Sequence, residues 1–338
     1  MNRLLPLTNS LHRVLFFGVA ALLCFGLGNR SIAATAPEIW LAGVPPFARS
    51  KMFQESESDY LELFRADAPW SNAASHVQVF LTNGGLILRE SDDQLKSVFA
   101  DLKRRHIALA VETGLLAGKD SAGRQACGVG IEGFIAPDQG TTIANRILKN
   151  GGTLDYIVLD EPLWYGHVFH GPNACQSSIE DVAREVAARV VAIRKIFPSV
   201  KVGDNEPAAT LQPSDWLDQI TKWTKAYQTA AGEPFSFFNA DVQWSGPWKQ
   251  QLPVLKKLVE GEGSKFGIIY NGGGSAAQES DEVWTQEAED RFRAVETNPA
   301  LVPDIAVLQT WGRWPKKMLP ENQRGTMTNL VIRYLSPR

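Results

Sequence analysis

The sequence predicts an α/β fold, a single closed (β/α)8 barrel of the TIM type. Short apolar runs alternate with helical patterns along the chain, and continuous apolar runs are typical of parallel strands buried on both faces. Eight such units in about 300 residues fit a closed barrel better than an open sheet. No Gly-x-Gly-x-x-Gly motif follows the first run, which argues against a dinucleotide-binding sheet. The predicted strands are Ile39–Val44, Val77–Leu81, Ile107–Val111, Tyr156–Leu159, Val200–Gly203, Phe235–Phe238, Phe266–Tyr270 and Ile305–Leu308.

The predicted helices rest on hydrophobic periodicity. Between the fourth and fifth strands, for example, Val182, Val186 and Val190 recur at four-residue spacing and therefore share one helix face. No clear helical pattern joins the first two strands, although Tyr60–Phe64 fits part of one. Helices are predicted over Asp92–Arg105, Ile143–Asn150, Ile179–Ile196, Trp216–Ala230, Trp248–Glu260, Glu282–Thr297 and Asn322–Tyr334.

The amino-terminal segment has the pattern of a secretory signal peptide, predicted over residues 1–33. Arg3 and Arg13 precede the apolar stretch Val14–Leu27, and small residues follow it. A positive region, a short apolar core and a small-residue cleavage site are the three parts of an export signal. A stretch of about 14 apolar residues is short for a membrane span of roughly 20, so we expect no stable membrane insertion after signal removal. Residues 34–338 are then the barrel domain of a secreted or periplasmic protein.

The charge balance disfavours nucleic acid as a partner. The chain has 34 basic and 37 acidic residues and a formal net charge of -3. The predicted signal peptide carries three arginines and no acid, so its removal leaves a charge of -6. A mildly acidic chain lacks the basic face that a phosphate backbone requires.

Two cysteines remain after the predicted signal peptide, since Cys24 lies within it. Cys127 and Cys175 follow the third and fourth predicted strands. An even number of cysteines in an exported protein predicts a disulfide. This bridge would join two neighbouring loops at the rim of the barrel.

Carboxylates follow four of the apolar runs. Glu112, Glu161, Glu206 and Asp241 each stand at or just beyond a predicted strand end. Because the carboxyl ends of barrel strands meet at one mouth, we expect these side chains to line a common pocket. Cleavage of a glycosidic bond needs one carboxylic acid to protonate the leaving oxygen and one carboxylate to act as nucleophile or base. The sequence therefore predicts a glycoside hydrolase acting on a carbohydrate substrate.

Glu161 and Glu206 form the predicted catalytic pair. They end neighbouring strands, which lie about 5 Å apart in a sheet, and this spacing suits the carboxyl separation of retaining enzymes. Asp241, one strand further on, is the alternate second carboxylate and suits a water-activating base. Polar residues at the other strand ends are predicted to bind sugar hydroxyls: Glu112, Asp160, Asn205, Asn271 and Gln309.

The tripeptide Asn205-Glu206-Pro207 resembles the Asn-Glu-Pro strand end of the superfamily of retaining glycoside hydrolases with barrel folds. The resemblance implies that Glu206 is the acid/base and that Asn205 binds a sugar hydroxyl beside the scissile bond. The chain departs from that family in two ways. The family motif ends the fourth strand, whereas this tripeptide ends the fifth, and the family nucleophile ends the seventh strand, where this chain has Asn271 after Tyr270.

Eight of the ten tryptophans divide into two groups. One group falls on the apolar stripes of predicted helices and is predicted to be core: Trp216, Trp223, Trp248 and Trp284. The other group follows strands: Trp164, Trp244, Trp311 and Trp314. An indole ring at a pocket mouth can stack on the apolar face of a sugar, so this second group supplies candidate substrate contacts.

Two alternatives to hydrolysis remain open at this point. The missing acid after the seventh strand fits a carbohydrate-binding barrel without catalytic activity, since fold does not guarantee function. Glu161, His167 and His170 fit a metal-dependent deacetylase or lyase, although their spacing is loose for zinc ligands. We predict no metal and no cofactor, because cleavage by two carboxyl groups needs neither. The sugar, its linkage and the oligomeric state are left open.

Overall fold

The computed structural model describes residues 36–43, 45, 58–118, 126–211, 213–273 and 280–336. The predicted signal peptide lies outside the described residues. Within the described part of the chain, no helix combines the length and apolarity needed to cross a membrane.

Eight parallel strands form a closed barrel in chain order, with the first strand pairing with the last. This arrangement confirms the predicted fold, and each predicted strand is present. The strands are β1 (Glu38–Ala42), β2 (Val77–Asn83), β3 (Ala108–Thr113), β4 (Tyr156–Asp160), β5 (Lys201–Ala208), β6 (Phe237–Val242), β7 (Lys265–Tyr270) and β8 (Ile305–Gln309).

Helices surround the barrel and bury their apolar faces against the outer side of the strands. The Tyr60–Phe64 segment is a 3-10 helix between β1 and β2, and a π-helical turn covers Trp164–Val168 after β4. The α-helices are α1 (Ser71–Ala74), α2 (Gly84–Arg89), α3 (Asp92–Arg105), α4 (Gln139–Lys149), α5 (Ile179–Arg194), α6 (Trp216–Ala231), α7 (Trp248–Gly261), α8 (Asp281–Glu296) and α9 (Met327–Leu335).

The lower interior of the barrel is filled by side chains. Trp40 is fully buried, and its ring centroid lies 5.0 Å from that of Tyr156 and 4.9 Å from that of Phe237. Further apolar residues from the other strands complete this inner cluster. Because the interior is solid, polar side chains can gather only at the carboxyl ends of the strands.

β5 is longer than the sequence predicted. The strand continues through Asp204, Asn205, Glu206 and Pro207 to Ala208, so Glu206 lies within it and does not end it. Pairing between β4 and β5 stops at Asn205. Pro207, which has no N–H group, is therefore tolerated here because no hydrogen bond to β4 is required of it.

The predicted disulfide is confirmed. Cys127 and Cys175 are bonded, with their Cα atoms 5.1 Å apart. The bridge ties the loop after β3 to the loop after β4, so the two segments that approach the barrel mouth from this side are held together.

Candidate active site

A hydrogen-bonded layer of polar side chains closes the barrel interior below its mouth. Glu112 on β3 accepts hydrogen bonds from Asn205 Nδ2 at 2.5 Å and from Gln309 Nε2 at 2.8 Å. Asn239 Nδ2 donates to Asn205 Oδ1 at 2.9 Å. β3, β5, β6 and β8 therefore each contribute one inward-pointing side chain, as the two-residue alternation of a strand requires. Asn205 and Gln309, predicted to bind substrate, use these amide nitrogens to hold Glu112.

Asp160 and Glu161 both approach the mouth although they are consecutive. Asp160 is the last residue of β4 and pairs in register with Asn205, which points inward. Strict alternation would direct Glu161 outward. Glu161 instead has a left-handed backbone with φ 49°, a conformation that is rare for residues other than glycine. This turn directs the Glu161 side chain into the open cleft beside Asp241.

The carboxyl groups of Glu161 and Asp241 share a hydrogen bond. Asp241 lies on β6 and pairs in register with Pro207 of β5, while Glu161 directly follows β4. The two acids therefore approach each other across the end of β5. A hydrogen bond between two carboxyl groups requires that one of them carry the proton.

Burial separates the pKa values of this pair. It raises the pKa of Glu161 to about 10, and the neighbouring carboxyls of Asp241 and Glu132 add to the rise. Burial and the charge of Glu132 raise the pKa of Asp241 to about 6, while the hydrogen bond with Glu161 limits the rise. Glu161 is therefore the protonated partner near neutral pH, and Asp241 is the carboxylate.

Two further acids below this pair also hold protons more tightly than usual. Burial raises the pKa of Glu112 to about 7, against the hydrogen bonds from Asn205 and Gln309. Burial raises the pKa of Asp160 well above its ordinary value, and the Glu112 charge adds to the effect. The mouth therefore concentrates carboxyl groups that repel one another when ionised.

A cleft of about 1050 Å³ opens over Glu161 and Asp241. Four tryptophans line it, together with polar and charged residues from the ends of β6 and β7 and from α8: Trp164, Trp244, Trp248, Trp311, Asn271, Glu287, Asp290 and Arg291. Trp311 is 53 % exposed at the rim. Trp248 begins α7 but is only half-buried and faces the cleft, so its prediction as a core residue is wrong.

Trp164 is held from behind by Trp216. The two rings meet edge to face at a centroid distance of 5.4 Å and an interplanar angle of 89°. Trp216 Nε1 donates to the Pro207 carbonyl oxygen at 2.6 Å. The Trp164 ring thus has a fixed support and presents its free side to the cleft.

Trp244 is part of a second aromatic wall. Its Nε1 donates to Asn271 Oδ1 at 2.8 Å, so this N–H is engaged within the protein. The Arg291 guanidinium lies 5.4 Å from the Trp244 ring centroid and donates to Asn271 and to the Gly273 carbonyl oxygen. Arg291 therefore fixes the segment after β7, and its donors serve backbone and amide oxygens.

Glu206 does not join the pocket, contrary to its predicted pairing with Glu161. It lies one residue beyond the inward-pointing Asn205 and is fully buried. Its Oε1 accepts from the Leu163 N–H at 2.6 Å and its Oε2 from the Trp164 N–H at 3.1 Å. Both oxygens are thus occupied by the main chain after β4, and burial raises the pKa of this carboxyl. The pair that meets at the mouth is Glu161 with Asp241.

Two participants, Glu132 and Arg291, were not predicted from the sequence. Glu132, in the loop after β3, interacts electrostatically with Glu161 and Asp241, and it adds to the effect of burial in raising the pKa of Tyr165. No strand or motif marks Glu132 in the sequence. In the sequence, Arg291 has the pattern of a surface residue, because Glu287 and Arg291 have the four-residue spacing of an exposed helix ion pair.

The two histidines considered as metal ligands lie after Glu161. His167 Nδ1 is 2.6 Å from the Ser177 carbonyl oxygen and therefore donates to it, while His170 is exposed. Among the residues that the structure describes, no three His, Cys, Asp or Glu side chains are grouped in a way that could hold a metal ion.

Comparisons with known proteins identify the fold. No protein-family model matches the chain, and no curated protein matches it in sequence. Among solved structures, the GH53 catalytic domain of Ignisphaera aggregans is 10% identical, with a TM-score of 0.54 over 82% of this chain and 94% of that one. A GH10 endoxylanase retrieved from a sugarcane soil metagenome is also 10% identical, with a TM-score of 0.50 over 89% and 96%. At this identity the likeness shows a shared barrel fold.

Proposed function

We propose that the chain is a secreted glycoside hydrolase in which Glu161 is the general acid and Asp241 is the general base. The observation that carries this proposal is the hydrogen-bonded Glu161–Asp241 pair, set in a cleft lined by four tryptophans. Two carboxyl groups with different proton affinities are what glycosidic cleavage needs. Aromatic rings beside them suit the apolar faces of sugar rings.

In the proposed reaction, Glu161 donates its proton to the glycosidic oxygen as the bond to the anomeric carbon breaks. Asp241 accepts a proton from a water molecule, whose oxygen forms the new bond to that carbon. The pKa of Glu161, at about 10, keeps the acid protonated at neutral pH. The pKa of Asp241, at about 6, leaves the base ionised there. Opposite protonation states of acid and base are thus available at the same pH.

The strand positions favour inversion of configuration. β5 lies between the strands that carry Glu161 and Asp241, so the two backbones are about 10 Å apart. Rotation of either side chain away from their shared hydrogen bond gives the separation of roughly 6.5–9.5 Å that an inverting pair needs for its water molecule. Substrate entering between the two groups would replace that hydrogen bond.

Sugar binding in this proposal falls to the residues that face the cleft. Trp164, Trp248 and Trp311 supply stacking surfaces, and Trp244 supplies a wall. Asp160 and Asn271 remain candidates for contacts with hydroxyls. The fold likeness to a GH53 catalytic domain and to a GH10 endoxylanase supports a polysaccharide as the substrate to test first.

Export is part of the proposal. The Arg3 and Arg13 region, with the apolar stretch after it, has the pattern of a signal peptide. The Cys127–Cys175 disulfide supports an oxidising compartment, because such bonds persist in secreted and periplasmic proteins.

A panel of soluble polysaccharides tests the activity. The mature protein is incubated with β-1,4-xylan, β-1,4-galactan, chitosan and mixed-linkage glucans, and new reducing ends are measured. The anomeric configuration of the first product, read by proton NMR, distinguishes inversion from retention. The proposal is supported if the wild type releases product and both Glu161→Gln and Asp241→Asn do not. Equal product release by the wild type and both variants would contradict it.

A carbohydrate-binding barrel without turnover is the second candidate. Asn271 follows β7, where the resembling family carries its nucleophile, and this difference favours the alternative. Saturable binding of a glycan by the wild type without new reducing ends, on the same panel, would select it.

A further inference from the structure

Two consecutive residues of β5, Asn205 and Glu206, bind the chain segment that carries Glu161 and Trp164, and the next residue, Pro207, acts on it through Trp216. The Asn205 carbonyl oxygen accepts from the Glu161 N–H at 3.1 Å. The Glu206 carboxylate accepts from the two N–H groups of Leu163 and Trp164. These bonds hold the main chain on both sides of Pro162, immediately after β4 ends.

The third residue acts on the tryptophan ring. The Pro207 carbonyl oxygen accepts from Trp216 Nε1, and Trp216 packs edge to face on Trp164. Trp164 is therefore fixed twice from the end of β5, through its own N–H by Glu206 and through its ring by Trp216.

The Glu206 carboxylate is well suited to this task. Residues 162–168 form a short helical segment, and the first N–H groups of a helix lack partners within it. Burial raises the pKa of Glu206, and the N–H groups of Leu163 and Trp164 oppose that rise by stabilising the ionised form. A carboxylate offers acceptor oxygens only, and a helix amino terminus favours negative charge. The side chain is fully buried, so water does not compete for either N–H.

Glu161 needs such support because its backbone is strained. A left-handed φ of 49° in a residue with a side chain is strained and persists only where the surrounding structure enforces it. The Asn205 carbonyl and the Glu206 carboxylate bind the chain directly before and after Pro162. Without them, Glu161 could relax to an extended backbone, which would turn its side chain away from Asp241.

We infer that Asn205-Glu206-Pro207 is a positioning segment, in which Glu206 holds the turn 161–164 so that Glu161 faces Asp241 and Trp164 faces the cleft. Glu206 itself does not touch the reacting atoms. This inference rests on the proposed function for its catalytic meaning. Its structural part, the hold on the turn, can be measured without any substrate.

The test compares Glu206→Gln with Asp204→Asn. Glutamine keeps the size of Glu206 but offers one acceptor oxygen, so one of the two N–H groups would face an amide donor. Asp204 is a matched control: it is also fully buried on β5, but its Oδ2 accepts from Trp223 Nε1 of α6 at 2.6 Å. Burial and the charge of Asp204 raise the pKa of Glu206, so removing that charge leaves Glu206 and both of its acceptor oxygens in place. Asparagine can keep that bond, and the control reports the general effect of removing a buried carboxyl from this strand.

Two readouts follow the turn directly. Hydrogen exchange measures the protection of the Leu163 and Trp164 amides. Carbon NMR of side-chain-labelled glutamate follows the titration of Glu161. The Glu161 signal is assigned as the one that is absent from the spectrum of Glu161→Gln. We expect Glu206→Gln to speed exchange at both amides about 10-fold, as the loss of one buried hydrogen bond predicts. We expect the Glu161 midpoint to fall toward the ordinary range of a glutamate as the turn admits water, while Asp204→Asn changes neither quantity.

Unchanged exchange and an unchanged Glu161 midpoint in Glu206→Gln would overturn the inference, as would equal changes in Asp204→Asn. If Glu206→Gln abolished turnover with neither readout altered, Glu206 would be a catalytic residue, as the family resemblance implies, and the inference would be wrong. If both readouts shift as expected while the wild type cleaves no glycan, the positioning segment stands and the proposed function fails.

Discussion

Glu161 and Asp241 share a hydrogen bond across the end of β5, although they are 80 positions apart in the sequence. One follows β4 through a left-handed turn, and the other lies near the end of β6. The contact places two acids in one low-dielectric site, where only one of them ionises readily. That asymmetry gives the site a proton donor and a proton acceptor at the same pH.

Loss of the proposed acid should abolish turnover while the fold survives. In Glu161→Gln, the amide can still donate a hydrogen bond to Asp241 but supplies no acidic proton. We expect kcat to fall by about 10²–10⁴, as for other removals of a general acid. Release of reducing ends measures turnover, and circular dichroism checks folding. Asp93→Asn, a variant at an exposed helix position, serves as the control. Near-full turnover by Glu161→Gln would exclude Glu161 as the general acid.

The pH dependence should be bell-shaped, with limbs set by the Glu161–Asp241 pair. Asp241 must be ionised, so kcat/KM should fall as pH drops through about 6. Glu161 must be protonated, so kcat/KM should fall again as pH rises through about 10. These limbs belong to the coupled pair and not to separate residues. Initial rates from pH 4 to 11 on the best substrate measure the profile, and a profile flat across pH 6–7 would contradict the assignment of Asp241.

Thermal stability should decrease as the solution becomes more alkaline. The folded protein holds the proton of Glu112 up to about pH 7, whereas an unfolded glutamate loses it near 4.5. The folded state therefore binds more protons at Glu112 between these values, so the stabilising contribution of this group is fully present below about 4.5 and is lost as pH rises through about 7. This pKa difference corresponds to at most about 3 kcal/mol.

The variant Glu112→Gln tests that effect. Glutamine still accepts from Asn205, and its amide can donate to the Gln309 Oε1 atom, which is buried without a partner among the described residues. We expect a higher Tm than wild type at pH 8 and a weaker dependence of Tm on pH between 5 and 8. Differential scanning calorimetry measures both, and identical slopes for the two proteins would contradict the prediction.

Acidic oligosaccharides should bind more weakly than neutral ones of equal length. Glu161, Asp241, Glu287 and Asp290 line the cleft, and the donors of Arg291 are engaged with Asn271 and Gly273. Arg291 is the only cation among the described residues that line the cleft, so a uronate would meet mainly carboxyl groups there. We expect oligouronates to bind at least about 10-fold more weakly than the matched neutral sugars, a difference of about 1.4 kcal/mol. Titration calorimetry with Glu161→Gln measures both affinities, and tighter uronate binding would contradict this view of the cleft.

The sequence alone determined the barrel and the end at which the acids gather. Apolar runs alternating with amphipathic helices allow few arrangements, and a closed ring of parallel strands brings every strand's carboxyl end to one mouth. Glu112, Glu161 and Asp241 could therefore be assigned to one region without coordinates. The disulfide could be predicted as well, because two cysteines followed neighbouring strands.

Only the tertiary structure decided which acids face one another. A strand directs alternate residues to opposite faces, so a residue's role depends on register and on where the strand ends. Glu206 and Asn205 are adjacent, yet Asn205 points into the barrel and Glu206 points to the main chain after β4. The left-handed turn at Glu161 breaks the alternation and returns its side chain to the mouth. Glu132 comes from a loop, whose path depends on packing against the folded barrel and leaves no periodic signal in the sequence.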